Sequence, residues 1–192
     1  MTGPTTRRRW WLLCLAGLVF ATSVGLWQSR SIQQFRRPED GQVLRTGERA
    51  VFDGVAYQLK AFTHAPELPI KPELRDLRDA DVVRALSGAE LVQVVLTVER
   101  IDPGRRPDTV FCDLTLEDPS GRVWRSDSSV EYDVDGPEAS TCGGVEESGP
   151  RVGRPFDVGQ VFQVPADGVD RVTGRLRLSG GQGRLLLELQ PR

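Results

Sequence analysis

From Val51 the pattern becomes that of β-strands, with apolar residues at every second position in run after run, and that spacing commits these runs to strands. Val55, Tyr57, Leu59 and Ala61 fall on one face of a strand, with Gln58 and Lys60 on the other. Val92, Val94, Leu96 and Val98 alternate within ELVQVVLTVER, and Val110, Cys112, Leu114 and Leu116 within TVFCDLTLED. Asp118-Pro119-Ser120-Gly121 has turn chemistry, and Val123-Trp124-Arg125 starts the return strand. Phe162 and Val164 mark a further strand. Near the end, Leu176 and Leu178 alternate with Arg175 and Arg177, and Leu185, Leu187 and Leu189 with Arg184, Leu186 and Glu188. With Gly181-Gln182 as a type II′ turn, Leu176 pairs with Leu187 and Arg175 with Glu188, so apolar side chains share one face and opposite charges the other.

One segment breaks the pattern. In PELRDLRDADVVRALSG, the residues Leu74, Leu77, Val82 or Val83 and Leu86 come near helical spacing. Pro72 stands near the start and Gly88 just past the end, so one short helix is expected. Residues 133–155 are rich in Gly, Pro, Asp and Glu and read as a long loop tied down at Cys142. Seven or eight strands and one minor helix predict an all-β, two-sheet antiparallel sandwich.

The start of the chain obeys different physics. Trp10 to Trp27, WWLLCLAGLVFATSVGLW, is 18 residues without a charge. As a helix it would be about 27 Å long, close to the hydrocarbon thickness of a bilayer. Tryptophans at both ends and Arg7-Arg8-Arg9 before it suit a signal anchor with a cytoplasmic N-terminus. A cleaved signal, cut near Ala21-Thr22-Ser23, is the alternative, and the arginines also loosely match a twin-arginine export signal. Cys14 reads as helix filler. The expected organisation is a cytoplasmic tail over 1–9, a transmembrane helix over 10–27, a juxtamembrane stalk over 28–47 and an extracytoplasmic domain over 48–192.

Charge follows the same division. Residues 1–37 hold six of the 25 basic side chains and no acid, leaving 19 basic against 27 acidic beyond them. An acidic main domain excludes nucleic acid as a partner, because that binding needs positive charge against phosphate. With Cys14 in the apolar run, Cys112 and Cys142 remain as an even pair, expected to form a disulfide in an oxidising compartment. Their spacing is unlike the C-x-x-C of an oxidoreductase, and His64 is the only histidine, so no zinc set is available.

Three runs, ELVQVVLTVER, CDLTLEDPSGRVWRS and VGQVFQVPAD, resemble the immunoglobulin-like, telokin-like domain of exported actinobacterial proteins and lipoproteins. The resemblance spans roughly residues 50–190. It implies an immunoglobulin-like sandwich acting as an extracytoplasmic interaction domain, and it carries over no catalytic residue. The chain departs from the lipoprotein members in lacking a usable lipidation cysteine, since Leu13 precedes Cys14 where a small residue belongs.

Candidate sites are few. His64 with Glu67 could form an acid–base pair, and Cys112 with His64 a thiol nucleophile and base, but a disulfide at Cys112 denies the second. Asp133, Asp135 and Glu138 around Gly136 offer oxygen ligands with only part of the spacing of a calcium loop. Gly180-Gly181-Gln182-Gly183 is hairpin chemistry. Arg171, Arg175 and Arg177 fall on one face by alternation and are the candidate partner-binding residues. The expectation is a membrane-anchored, non-enzymatic interaction module without cofactor or metal. Its partners would be the lipid bilayer, through the Trp10–Trp27 helix, and an envelope protein or small ligand. The alternative is an accessory subunit of a membrane protein complex.

Overall fold

A computed structural model describes residues 41–104, 111–137, 139–142, 152–180 and 183–191. The tail, the apolar run and residues 28–40 of the stalk lie outside the described residues. No helix among the described residues is long and apolar enough to cross a membrane.

The described residues form strands β1 (Gln42–Arg45), β2 (Arg49–Phe52), β3 (Val55–Ala65), β4 (Glu67–Pro69), β5 (Val82–Arg84), β6 (Ala89–Arg100), β7 (Phe111–Glu117), β8 (Val123–Trp124), β9 (Phe156–Pro165), β10 (Thr173–Gly180) and β11 (Gly183–Gln190). Two single-turn helices, α1 (Arg75–Arg78) and α2 (Ser128–Glu131), interrupt them. One sheet has the order β1-β11-β10-β7-β8 and the second β2-β3-β6-β9, with β4-β5 as a separate ribbon. The inner faces meet in one core of Leu44, Tyr57, Leu59, Val94, Leu96, Leu116, Phe162, Leu176, Leu187 and Leu189, among others. Each fully buried Leu or Phe contributes about 1.5–3 kcal/mol. The chain is therefore an all-β sandwich with minor helix.

The terminal hairpin has the expected register, Leu176 opposite Leu187 and Arg175 opposite Glu188. Its Gly181-Gln182 turn lies outside the described residues. A hairpin not expected from the sequence joins β2 to β3 through Asp53 and Gly54. Both have positive φ, 50° and 79°, the type I′ geometry that the dipeptide Asp-Gly favours.

Four expectations need correction. The stalk over 28–47 ends early, because Gln42–Arg45 is already a strand and Leu44 is buried in the core. β1 pairs with β11 in parallel, so the sandwich is not purely antiparallel. The helix expected across Pro72–Gly88 stops at Arg78. It breaks at Asp79, which has φ 48°, and Val82–Arg84 instead pairs with β4. The physical reason is packing: Leu77 and Leu86 on the supposed helical stripe stay exposed, while Val83 packs against a cluster of Leu68, Leu91, Val134 and Val161. Finally, Ala61 does not share a face with Leu59. A β-bulge at Lys60 shifts the β3–β6 register, so Leu59 opposes Leu96 but Ala61 opposes Val95.

That second cluster explains why β6 is apolar on both faces. Val92, Val94 and Leu96 point into the sandwich, and Leu91 is covered from outside by β4, β5 and the stretch around α2. The segment after β8 also joins the two sheets along one side. β8 extends β7, Asp127 N–H donates to Val161 O of β9 at 2.8 Å, and Gly159 N–H donates to Ala139 O at 2.9 Å. The segment then returns to β7 through the Cys112–Cys142 disulfide, with Cα atoms 5.8 Å apart.

Candidate interaction surfaces

The three arginines separate by element. Arg175 and Arg177 lie on β10, but Arg171 sits in the 3-10 turn Val169–Arg171 that precedes it, where its guanidinium donates to Asp167 O at 3.3 Å. The expectation of one continuous stripe is corrected, because the strand alternation does not reach back across Val172. Arg175 pairs with Glu117 of β7 at 2.9 Å, and Arg177 stands 4.0 Å from Asp113. The outer face of this sheet thus sets Arg175 and Arg177 against acids of β7 rather than forming a basic patch.

His64 is not paired with Glu67. Its Nδ1 is 2.7 Å from Glu90 Oε2 and its Nε2 3.4 Å from Asp170 Oδ1, while Glu67 accepts from Arg84 at 2.8 Å. With Cys112 held in the disulfide, the thiol–histidine pair has no thiol to use. Asp133 is held by Arg78 at 3.0 Å, and the Asp135 carbonyl accepts from Gln93 Nε2 at 3.0 Å. Glu138 lies outside the described residues. Among the described residues no group of three metal-ligating side chains comes together.

The bulge creates a feature the sequence reading did not anticipate. Lys60 and Ala61 turn outward together and line an open pocket of about 290 Å³ with Gln93, Val95, Asp135, Gly136, Pro137 and Asp157. Lys60 Nζ donates to Asp157 Oδ2 at 2.5 Å and Thr97 Oγ1 to Asp157 Oδ1 at 2.7 Å. Burial pushes the Asp157 carboxyl up, but those two donors and the lysine charge outweigh it and hold the group below its ordinary range. Pro137 seats against Gly159, where a Cβ would come within 2.8 Å of Pro137 Cδ. The pocket therefore has the Lys60–Asp157 ion pair on one wall, the Gln93 amide on another and apolar Ala61, Val95 and Pro137 between them. No local signal marks it, because the alternation in VAYQLKA gives no hint of the extra residue.

Two carboxylates organise loops rather than sites. Asp118 is buried and accepts from Ser120 N and Oγ and from Arg122 N and Nε. The Ser120 hydroxyl and then Arg122 overcome the cost of burial and hold its carboxyl far below the usual range. Asp127 caps α2 by accepting from Ser129 N and Oγ, and its second oxygen accepts from Gln163 at 2.7 Å. These bonds hold it below its usual range against desolvation.

No protein-family profile and no curated protein matches the chain. Solved structures similar to it include an uncharacterized β-sandwich protein from Clostridium difficile 630. That likeness has 11% identity and TM-score 0.46, covering 80% of this chain and 97% of the other. A conserved hypothetical protein from Bacillus anthracis is similar at 9% identity and TM-score 0.48, covering 74% and 94%.

Proposed function

We propose that this protein is a membrane-anchored interaction module. In this reading the apolar run Trp10–Trp27 holds it in the bilayer, and its β-sandwich works outside the cytoplasm by binding rather than by catalysis. The observation that carries the reading is the Cys112–Cys142 disulfide, which ties β7 to the segment closing the sandwich. Such bonds persist in oxidising compartments and are rare where thiols are kept reduced. The uncharged run supports it with a length matched to a bilayer. The three runs resembling the immunoglobulin-like, telokin-like domains of exported proteins point the same way. The partner is then an envelope protein or a small polar ligand.

Protease added to intact cells tests the reading. The expected outcome is a digested C-terminal domain, a protected membrane fragment, and a mobility change on reduction. A domain digested only after permeabilisation, with both cysteines free to alkylate, would overturn it.

A further inference from the structure

One end of the sandwich gathers the Asp53-Gly54 turn, the stretch after β6, residues 152–154 and the start of β11. Ile101 and Asp102 N–H both donate to Gly54 O, at 2.9 and 3.1 Å, and Gly153 N–H donates to Arg100 O at 3.1 Å. Gly180 and Gly183, paired at the tip of β10 and β11, belong to the same end, since a Cβ on Gly180 would come within 2.5 Å of the Asp53 carboxylate. Two aliphatic side chains, Ile101 and Val152, are exposed there on adjacent segments. Arg154 is exposed beside them, Arg184 belongs to the same end, and Arg100 adds positive charge there while its guanidinium donates to Asp102 O and Pro103 O at 3.1 and 2.9 Å. Of the acids at this end among the described residues, Asp53 is buried, Asp102 caps Gly104 N at 2.8 Å and Glu99 pairs with Arg49 at 2.8 Å. Elsewhere the domain has an acidic excess.

The chain enters the fold pointing at this end. β1 runs parallel to β11, and Gln42 pairs with Leu187, so the start of β1 is directed toward the tip where β11 begins. Thirteen residues, 28–40, separate Trp27 from Gly41. Fully extended they reach about 45 Å, and as a flexible coil about 20 Å. A tether that short keeps the end at high effective concentration near the lipid surface, so weak contacts suffice.

We propose that this end, through Arg154 with Ile101 and Val152, docks on an anionic lipid surface and fixes the orientation of the sandwich on the membrane. The proposal rests on the membrane anchor put forward above. The Arg154 guanidinium meets the headgroup phosphates, and the two aliphatic side chains enter the interface between headgroup and acyl chain.

The test is amide hydrogen exchange on the full chain in nanodiscs of phosphatidylcholine, with and without phosphatidylglycerol. Segments 99–104 and 152–155 are expected to exchange more slowly only when the anionic lipid is present, while 165–171 at the opposite end is unchanged. Arg154→Glu should remove about fivefold of that slowing, Arg154→Lys should retain it, and Val152→Ser should reduce it. Slowing that is equal in both lipids, absent, or located at 165–171 overturns the docking while leaving the anchor standing. A chain that fails to co-purify with nanodiscs overturns the anchor, and the docking with it.

Discussion

Tyr57 illustrates how much a single buried atom can matter. The ring is fully buried at the centre of the core, yet its hydroxyl makes no hydrogen bond among the described residues. Burial and the nearby Asp53 carboxylate push its ionisation far above the usual tyrosine range. Removing an unsatisfied hydroxyl relieves a desolvation cost, so Tyr57→Phe should raise stability by about 1 kcal/mol in a urea melt. Asp118 has the opposite character. Its folded carboxyl lies below the unfolded value of about 3.9, so it contributes stability fully above that pH and loses it as acid protonates the group. Glu131 is raised by burial and runs the other way, gaining stability as pH falls. With Asp118, Asp127 and Asp157 all lowered, the net expectation is acid destabilisation below about pH 4. Asp118→Asn should flatten that slope in urea midpoints measured against pH, and it should lower stability at pH 7.

Among elements, the ribbon β4-β5 decides the most. It covers the outer face of β6, and Leu68 is its buried anchor. Leu68→Ala should cost about 2–4 kcal/mol by chemical denaturation, whereas Leu77→Ala should cost under about 0.5 kcal/mol. If the helical reading of Pro72–Gly88 were correct, Leu77 would be the costlier site. Helical spacing and strand spacing are hard to separate over so short a stretch, and the sequence alone carried the helix past Arg78 into what is a strand. Packing against Val134 and Val161 settled the matter, and both partners are remote in sequence.

At the scale of the whole molecule, two connections close the sandwich. One is the disulfide, which spans a sequence separation of 30. Replacing both cysteines with alanine should lower stability by roughly 3 kcal/mol on the chain-entropy account, read as a lower melting temperature. The other is β1. A chain beginning at Glu48 would lose Leu44 from the core and uncover the edge of β11, so it should melt well below a chain beginning at Glu39. Calorimetry on the two fragments compares them directly.

The sequence by itself determined what depends on neighbours along the chain. Period-two stripes set the strands, the Leu176–Leu187 register followed from turn chemistry and matched faces, and the cysteine count singled out Cys112 and Cys142. The tertiary structure alone decided what depends on residues far apart. It placed the bulge at Lys60 and so the pocket beside Asp157, parted Arg171 from Arg175 and Arg177, gave His64 to Glu90, and drew Gln42–Arg45 into the sheet. Alternation reports which face a residue prefers. Which strand, carboxylate or covering ribbon meets that face is a matter of non-local packing, and no short stretch of chain encodes it.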